Sequence, residues 1–197
     1  MDTKEKILEI AKNLFLKNGY NKTTFREIAL KSGINLALLN YHFRNKDTLF
    51  SIAIESILIK LTPPLHKILN SDLNLENKIK IYIYAYIDLL AENPSLIMFV
   101  LNVLTHCPEK LVHFKAVNNL YTSEIFEKQL ITEAKEKKIK NINPEHLFIN
   151  ILSMIAFPFA LKPFIVYKNN FSENELNEFL LERKQIIFET IINAIKT

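Results

Sequence analysis

The sequence has little glycine: Gly19 and Gly33 are its two glycines in 197 residues, against about 7% in average proteins. Glycine forms the phosphate-binding loops of P-loop, Rossmann and kinase enzymes, and their Gly-rich motifs do not occur here. A chain built mostly of helices needs few tight turns. The scarcity of glycine therefore argues against the common nucleotide-binding enzymes and favours an all-helical fold.

Cysteine and long apolar runs are scarce as well. Cys107 is the single cysteine, which excludes an intramolecular disulfide and a cysteine-rich zinc module. The first residues lack the apolar run of a secretory signal. The longest apolar stretch, 147–161, is shorter than a bilayer requires and contains Pro158. We therefore expect a soluble, cytoplasmic protein that does not enter a membrane.

Positive charge is concentrated in the first quarter of the chain. Residues 1–50 contain nine Lys or Arg and five Asp or Glu, a net charge of +4, whereas residues 51–197 contain 16 of each. All seven prolines follow residue 60. This asymmetry predicts a small basic module joined to a larger, neutral one.

Most of the chain shows apolar residues at helical spacing, and one stretch is ambiguous. Residues 79–87 alternate as a strand would, yet Ile79, Ile83 and Tyr86 also share one helical face. We predict a helix because no hairpin partner lies nearby. Gly19 is expected to end the first helix, and the Asn-Pro pairs at 93–94 and 143–144 to begin later ones. The lysines between 135 and 140 are expected in the last turns of a long helix.

Residues 24–43 hold the clearest functional pattern. Thr24 and Glu27 form a capping pattern for a short helix, Gly33 permits a turn, and Asn35 can cap a second helix, Leu36 to Phe43. This is a helix-turn-helix, whose second helix fits the major groove of DNA, and the basic surplus would contact phosphates. The alternative is a plain helical hairpin with a solvated basic surface.

The same segment resembles the DNA-binding signature of the tetracycline-repressor (TetR) family. The resemblance is carried by Thr23, Thr24, Ile28, Ala29, Ser32, Gly33, Ile34, Asn35, Leu39, Asn40, Tyr41, His42, Phe43, Arg44, Asn45, Lys46, Asp47 and Leu49. It implies an all-α homodimeric transcription factor, usually a repressor released from DNA by a small molecule. Residues 1–47 would form the helix-turn-helix DNA-binding domain, and residues 48–197 a helical domain for ligand binding and dimerisation.

The resemblance also assigns roles to single residues. Those matched to DNA phosphate contacts are Thr24, Tyr41, His42 and Lys46, although His42 could equally pack against the fourth helix. Those matched to base-reading positions are Arg26, Leu36, Ala37, Leu38 and Asn40. Leu36 stands where polar residues are usual, and Asn40 replaces a frequent tyrosine. The second helix thus offers few hydrogen-bond donors, and we expect Asn40 to read adenine within an A·T-rich half-site.

The larger domain contains aromatic and methionine side chains that could line a ligand cavity. The candidates are Tyr82, Tyr86, Met98, Phe99, Phe114, Tyr121, Met154 and Phe157. An ordinary helical core is the more common use of such residues. A ligand held there would be a small hydrophobic effector, and the sequence predicts no cofactor.

Metal and enzyme functions find little support. His106, Cys107 and His113 fit no common zinc spacing, and no nucleophile or acid–base group accompanies them. We therefore expect no metal site and no enzyme. The last two helices, about 144–166 and 172–196, carry more apolar surface than one small domain needs, which predicts a homodimer through them. An architectural protein binding DNA without sequence preference, and a larger domain that binds a protein partner, remain alternatives.

Overall fold

The computed structural model describes residues 2–106, 109 and 123–197, and within these residues the chain is helical, without a strand. An isolated bridge pairs Ile139 with Lys196. The described helices are α1 Thr3–Lys22, α2 Phe25–Ser32, α3 Leu36–Phe43, α4 Lys46–Leu61, α5 Pro63–Leu69, α6 Leu75–Glu92, α7 Leu96–His106, α8 Glu124–Lys135, α9 Pro144–Ala160, α10 Lys162–Asn169 and α11 Glu173–Ile195. The predicted all-α fold with an N-terminal helix-turn-helix is confirmed.

The chain divides into two units. The first comprises residues up to Thr62 together with α7 from Met98 onward, and the second comprises the segment Pro63–Ile97 and the described residues from Ser123 to Thr197. The first unit includes all of α4 and is thus longer than the predicted DNA-binding domain, residues 1–47. That functional boundary stays a prediction.

The short helices of the first unit begin and end at capping residues. The side chains of Thr24, Asn35 and Asn45 accept hydrogen bonds from backbone N–H groups in the first turns of α2, α3 and α4. Gly33 ends α2 in the left-handed region, at φ 70° and ψ 31°, and its N–H is directed at the Ala29 and Leu30 carbonyls. These local hydrogen bonds explain why the boundaries of α2 and α3 match the sequence pattern.

Gly19 interrupts α1, in agreement with the prediction that the first helix ends there: its φ and ψ are not helical, and α1 consists of two helical segments joined at this bend. It adopts φ 76° inside α1, and helical structure continues to Lys22. A Cβ at this position would lie 2.5 Å from Oδ1 of Asn102, so the backbone approaches α7 closely at the bend. Glycine is needed here for both its positive φ and its lack of a side chain.

The core of the first unit is shared by five helices. Its fully buried members include Ile7 and Phe15 of α1, Ile28 of α2, Leu39 of α3 and Phe50 of α4, and α7 adds Phe99 and Val103. Since α2 and α3 are eight residues each, their packing on longer neighbours stabilises them far more than helix propensity could.

The second unit packs α6 against α5, α9 and α11. The ambiguous stretch 79–87 lies within α6, as predicted, because Ile79, Ile83 and Ile87 form a buried helical face. Asn143 caps α9 with Pro144 in its first turn, and Ser172 and Glu175 form a capping box at the start of α11. Both starts confirm the sequence prediction.

Two boundary predictions are wrong. Asn93 does not start a helix: its N–H donates to the Leu89 carbonyl at the end of α6, and α7 begins at Leu96. The lysine run does not lie on a helix beyond Lys135, where α8 ends, and Lys137 adopts φ 58°. The part of the predicted helix that follows Pro108 directly lies outside the described residues.

Taken singly, no helix in the described part of the chain is long and apolar enough to cross a membrane, while three bent helix pairs reach that limit by length and composition.

Candidate DNA-binding site

Helix α3 presents one face to the core and the other to solvent. Leu39 and Phe43 are fully buried, whereas Ala37, Asn40 and Tyr41 are exposed. Leu36 and Leu38 are each 37% exposed, at the edge of the solvent face. The five residues predicted to read bases are Arg26, Leu36, Ala37, Leu38 and Asn40, and all lie on the exposed surface of the helix-turn-helix. Whether they contact bases stays a prediction.

The turn between α2 and α3 is held by backbone hydrogen bonds. The Gly33 N–H donates to the Leu30 carbonyl and the Ile34 N–H donates to the Ala29 carbonyl, each over 3.1 Å. Ala29 is buried where the two helices meet. A fixed turn orients the solvent face of α3 before any partner binds, which lowers the entropic cost of binding.

The predicted phosphate contacts Thr24 and Tyr41 are accessible. The Thr24 hydroxyl accepts a 3.1 Å hydrogen bond from the Glu27 N–H, and a hydroxyl that accepts can still donate its hydrogen. Tyr41 is 82% exposed. His42 is half-buried, with its ring centroid 5.4 Å from that of Tyr41 and 6.3 Å from that of Phe43. Both neighbouring rings belong to α3, so the phosphate role of His42 and its packing against α4 both stay predictions.

Lys46 occupies the first position of α4, and Tyr20 lies beside it. The Lys46 ammonium lies 4.1 Å from the Tyr20 ring centroid, a cation–π contact, and the Tyr20 hydroxyl donates to Oδ1 of Asp47 over 2.6 Å. The Tyr20 ring packs edge-on against Phe50, at 4.8 Å between centroids. The bend at Gly19 thus places Tyr20 where it touches both residues that open α4.

Sequence reasoning missed Tyr20. Its signal was an aromatic residue directly after a glycine that must adopt positive φ, but nothing local linked it to a lysine 26 positions later.

The charges of the first unit are only partly paired. Lys12 pairs with Glu9 at 2.7 Å and Lys31 with Glu27 at 3.4 Å. Arg26 and Arg44 make no ion pair within the described residues, and both are exposed. The helix-turn-helix thus carries guanidinium groups on its surface, which is the electrostatic pattern that attracts phosphate.

The N-terminal segment matches a known family. The family described as "Bacterial regulatory proteins, tetR family" matches residues 7–52, which span α1, the helix-turn-helix and the start of α4. The "HTH-type transcriptional regulator QacR" of Staphylococcus aureus (strain Mu50 / ATCC 700699) is 52% identical over 50 residues. That match covers 25% of this chain and 27% of QacR, so the two chains correspond over about a quarter of their lengths. Over these residues the chain is similar to the tetR family.

Solved structures with the same fold match nearly the whole length of this chain. A TetR transcription regulator from Haloarcula marismortui superimposes with a TM-score of 0.68 at 18% identity, over 99% of both chains. The regulator FadR from Bacillus subtilis, solved in complex with stearoyl-CoA, gives 0.66 at 14% identity, over 97% of this chain and 98% of that one. At these identities the likeness concerns the fold alone.

The described members of the predicted effector site are divided between the two units. Tyr82 is 1% exposed and Tyr86 and Met154 are half-buried in the second unit, where Phe157 is 61% exposed. Phe99 belongs to the core of the first unit, and Met98 is 54% exposed. Phe114 and Tyr121 lie outside the described residues. An effector pocket formed by this set stays a prediction.

Two open cavities lie in the second unit and involve other residues. One, of about 470 Å³, is lined by Ser123, Phe126, Glu127, Ile131, Asn143, Pro144, Glu145 and Phe148. The other, of about 300 Å³, is lined by Ile87, Asp88, Ala91, Glu92, Asn177, Leu180 and Leu181.

No group of three or more His, Cys, Asp or Glu side chains is placed to bind a metal ion within the residues that the structure describes. Of the three residues considered for a metal, Cys107 and His113 lie outside those residues. His106 ends α7.

Proposed function

We propose that the chain is a homodimeric, sequence-specific DNA-binding repressor that a small molecule releases from a palindromic operator. The observation that carries the proposal is the exposed face of α3 within a helix-turn-helix of the tetR family. Its two buried residues anchor the helix, and its exposed ones are free of core contacts. An α-helix of this kind fits the major groove, where all four base pairs differ in their edges.

The exposed face of α3 supports an A·T-rich half-site. Asn40 carries an amide that can bond to adenine in a bidentate manner, while Leu36, Ala37 and Leu38 offer methyl groups for contact with thymine. Arg26 on α2 supplies a charged donor for a base or a phosphate. Each good base contact discriminates by ~1–3 kcal/mol, so one α3 helix gives limited specificity and two helices per dimer are needed.

Apolar residues exposed on α9 and α11 support dimerisation through these helices. Ile149 and Phe157 on α9 are 41% and 61% exposed, and Leu181 and Ile186 on α11 are 48% and 45% exposed. Pairing of two copies would remove this surface from water. Phe157→Glu should therefore produce monomers in sedimentation experiments, whereas Tyr167→Glu, at an 88% exposed site on α10, should leave the dimer intact. A dimeric Phe157→Glu variant would contradict this interface.

Release by a ligand requires that the second unit influence the first. The chain passes between the units at Thr62–Pro63 and again within α7, at Ile97–Met98. A ligand that binds one conformation of the second unit more tightly would favour that conformation. Through these connections it would change the distance between the two DNA-binding domains of the dimer. FadR was solved in complex with stearoyl-CoA, which supports a ligand-binding role for this fold.

Selection of bound duplexes from a random library, at near-physiological salt, tests the proposal. The stoichiometry of the complex is measured on the same samples. We expect a two-fold symmetric, A·T-rich motif bound by dimers. Binding without any motif would instead identify an architectural protein, because phosphate contacts alone carry no sequence information. Absence of binding by protein refolded after removal of ligands would contradict the DNA-binding role.

A further inference from the structure

A strained turn joins α3 to α4. Helix α3 ends at the buried Phe43 and α4 begins at Lys46, so Arg44 and Asn45 make the whole connection. Arg44 adopts φ 55° and ψ −54°, and the Asn45 N–H donates to the Phe43 carbonyl across it. These are the features of the rare γ-turn with positive φ, in which a side chain on the central residue raises the energy of the backbone.

Hydrogen bonds on both sides hold Arg44 in this turn. Its own N–H donates to the Asn40 carbonyl over 2.8 Å and completes the last turn of α3. On the other side, the Asn45 side chain accepts a 2.8 Å hydrogen bond from the Thr48 N–H and caps α4. Any residue at position 44 must therefore take a positive φ, which glycine adopts without a steric cost.

The arginine side chain makes no contact within the protein that offsets this strain. Arg44 is exposed, and in the part of the chain that the structure describes it forms no ion pair and no side-chain hydrogen bond. Lys12 and Lys31 of the same unit, by contrast, pair with glutamates one turn away. Strained residues persist mainly at functional sites, so we expect the balancing interaction to involve a partner outside the chain.

The position of Arg44 points to DNA phosphate as that partner. Arg44 directly follows α3 and precedes Lys46 by two residues, so the Cα atoms of Arg44 and Lys46 are at most ~7 Å apart. Tyr41, 82% exposed, lies three residues before Arg44. Phosphate contacts are predicted for both Tyr41 and Lys46. A guanidinium group presents its donors in a planar fork that matches phosphate in a bidentate manner.

We propose that Arg44 binds a phosphate of the DNA backbone beside α3, and that this contact offsets the strain of its turn in the complex. The inference rests on the proposed function, to which it adds a contact that fixes how α3 lies in the groove. A phosphate contact carries no sequence information. Arg44 therefore sets affinity and orientation, while the exposed face of α3 sets the base preference.

Three replacements at position 44 separate charge from strain. Arg44→Gln keeps a long side chain and the positive φ but removes the charge. It should weaken operator binding at least about tenfold and lower the slope of log affinity against log salt concentration by about two per dimer. Arg44→Lys keeps the charge and should keep the slope.

Arg44→Gly removes the charge and the strain together. It should lose as much of the salt slope as Arg44→Gln. Its melting temperature without DNA should nevertheless rise by about 2 °C or more, because the relief of strain exceeds the chain entropy that glycine adds to the unfolded state. A contact that served only the fold would produce the opposite change in melting temperature.

Fluorescence anisotropy measures the full chain on the operator recovered by the duplex selection, over a series of salt concentrations. Lys60→Gln is the matched control, because it removes one exposed positive charge from the last turn of α4 and should keep both affinity and slope. Operators with single base-pair changes are titrated in parallel. Arg44→Gln should weaken binding to all of them alike, as expected for a phosphate contact.

Four results would overturn the inference. They are an unchanged affinity and slope in Arg44→Gln, an equal loss in Lys60→Gln, a weakening that depends on the base sequence, and a lower melting temperature in Arg44→Gly. If the parent itself bound no duplex, the proposed function would fail and this inference with it. A parent that binds its operator, beside an unaffected Arg44→Gln, would contradict the phosphate contact alone.

Discussion

Tyr20 provides the sharpest test of how this helix-turn-helix prepares a phosphate contact. Its ring lies under the Lys46 ammonium, and its hydroxyl bonds to Asp47. Replacing Tyr20 by Leu removes the ring but not the Lys46 charge. A cation–π contact of this kind contributes ~0.5–1 kcal/mol. Because the contact already exists in the free protein, it changes binding only by holding Lys46 in its binding position; with two copies per dimer the loss is at most about 1–2 kcal/mol, or up to roughly thirtyfold weaker operator binding.

Three variants separate position from charge. Tyr20→Phe keeps the ring and should bind the operator almost as tightly as the parent. Tyr20→Leu should bind more weakly, with an unchanged dependence of affinity on salt, because the number of phosphate contacts stays the same. Lys46→Gln should reduce the slope of log affinity against log salt concentration by about two per dimer, since each phosphate contact contributes ~0.9 to this slope.

Fluorescence anisotropy with the selected operator, repeated over a series of salt concentrations, measures both quantities. Lys60→Gln is the matched control, because Lys60 is an exposed lysine in the last turn of the same helix. Melting temperatures identify variants that lose binding through unfolding, since the Tyr20 ring also packs on Phe50. If Tyr20→Leu, while folded, bound the operator as tightly as the parent, the positioning role would be refuted.

Three further predictions concern base reading, backbone strain and pH. Asn40→Ala should lose ~1–3 kcal/mol of discrimination at one base pair per half-site in the duplex selection, and an unchanged motif would contradict its role. Gly19→Ala should lower the free energy of unfolding by at least ~1–2 kcal/mol in denaturant titrations, because positive φ and the contact with Asn102 both oppose a side chain. A double variant that also carries Asn102→Ala should recover part of this loss, since it removes the contact but not the positive φ. Burial raises the pKa of Tyr86 from 10.0 to about 12, so the stability that its neutral hydroxyl contributes is present below pH 10.0 and is lost as pH rises through about 12. Tyr86→Phe should flatten this alkaline decline in pH-dependent unfolding.

Local capping chemistry explains which parts of the fold were predictable. Thr24, Asn35 and Ser172 bond to backbone groups three residues away, so the boundary and the residues that cause it lie together in the sequence. Asn93 shows the limit of this reasoning. Asparagine before proline suits the start of a helix, but Asn93 instead ends α6, where its N–H and its side-chain amide both donate to the Leu89 carbonyl.

The candidate sites were predictable to the extent that they are continuous in sequence. The residues of α3 fall on one face because they are neighbours on one short helix. The contact of Tyr20 with Lys46 instead depends on how α1 bends against α4, which joins residues far apart in the sequence. An aromatic residue at helical spacing looks alike in a core and in a pocket, so Phe99 and Tyr82 could not be told apart before their surroundings were known.

Each α3 helix makes few base contacts, so a small effect of a ligand is enough to release the dimer from its operator. If one half-site supplies only a few contacts of ~1–3 kcal/mol, specific binding requires that both DNA-binding domains of the dimer enter their major grooves together. A ligand that favours a different distance between these domains by ~1–3 kcal/mol, the usual range of allosteric coupling, then lowers operator affinity by about five- to 150-fold.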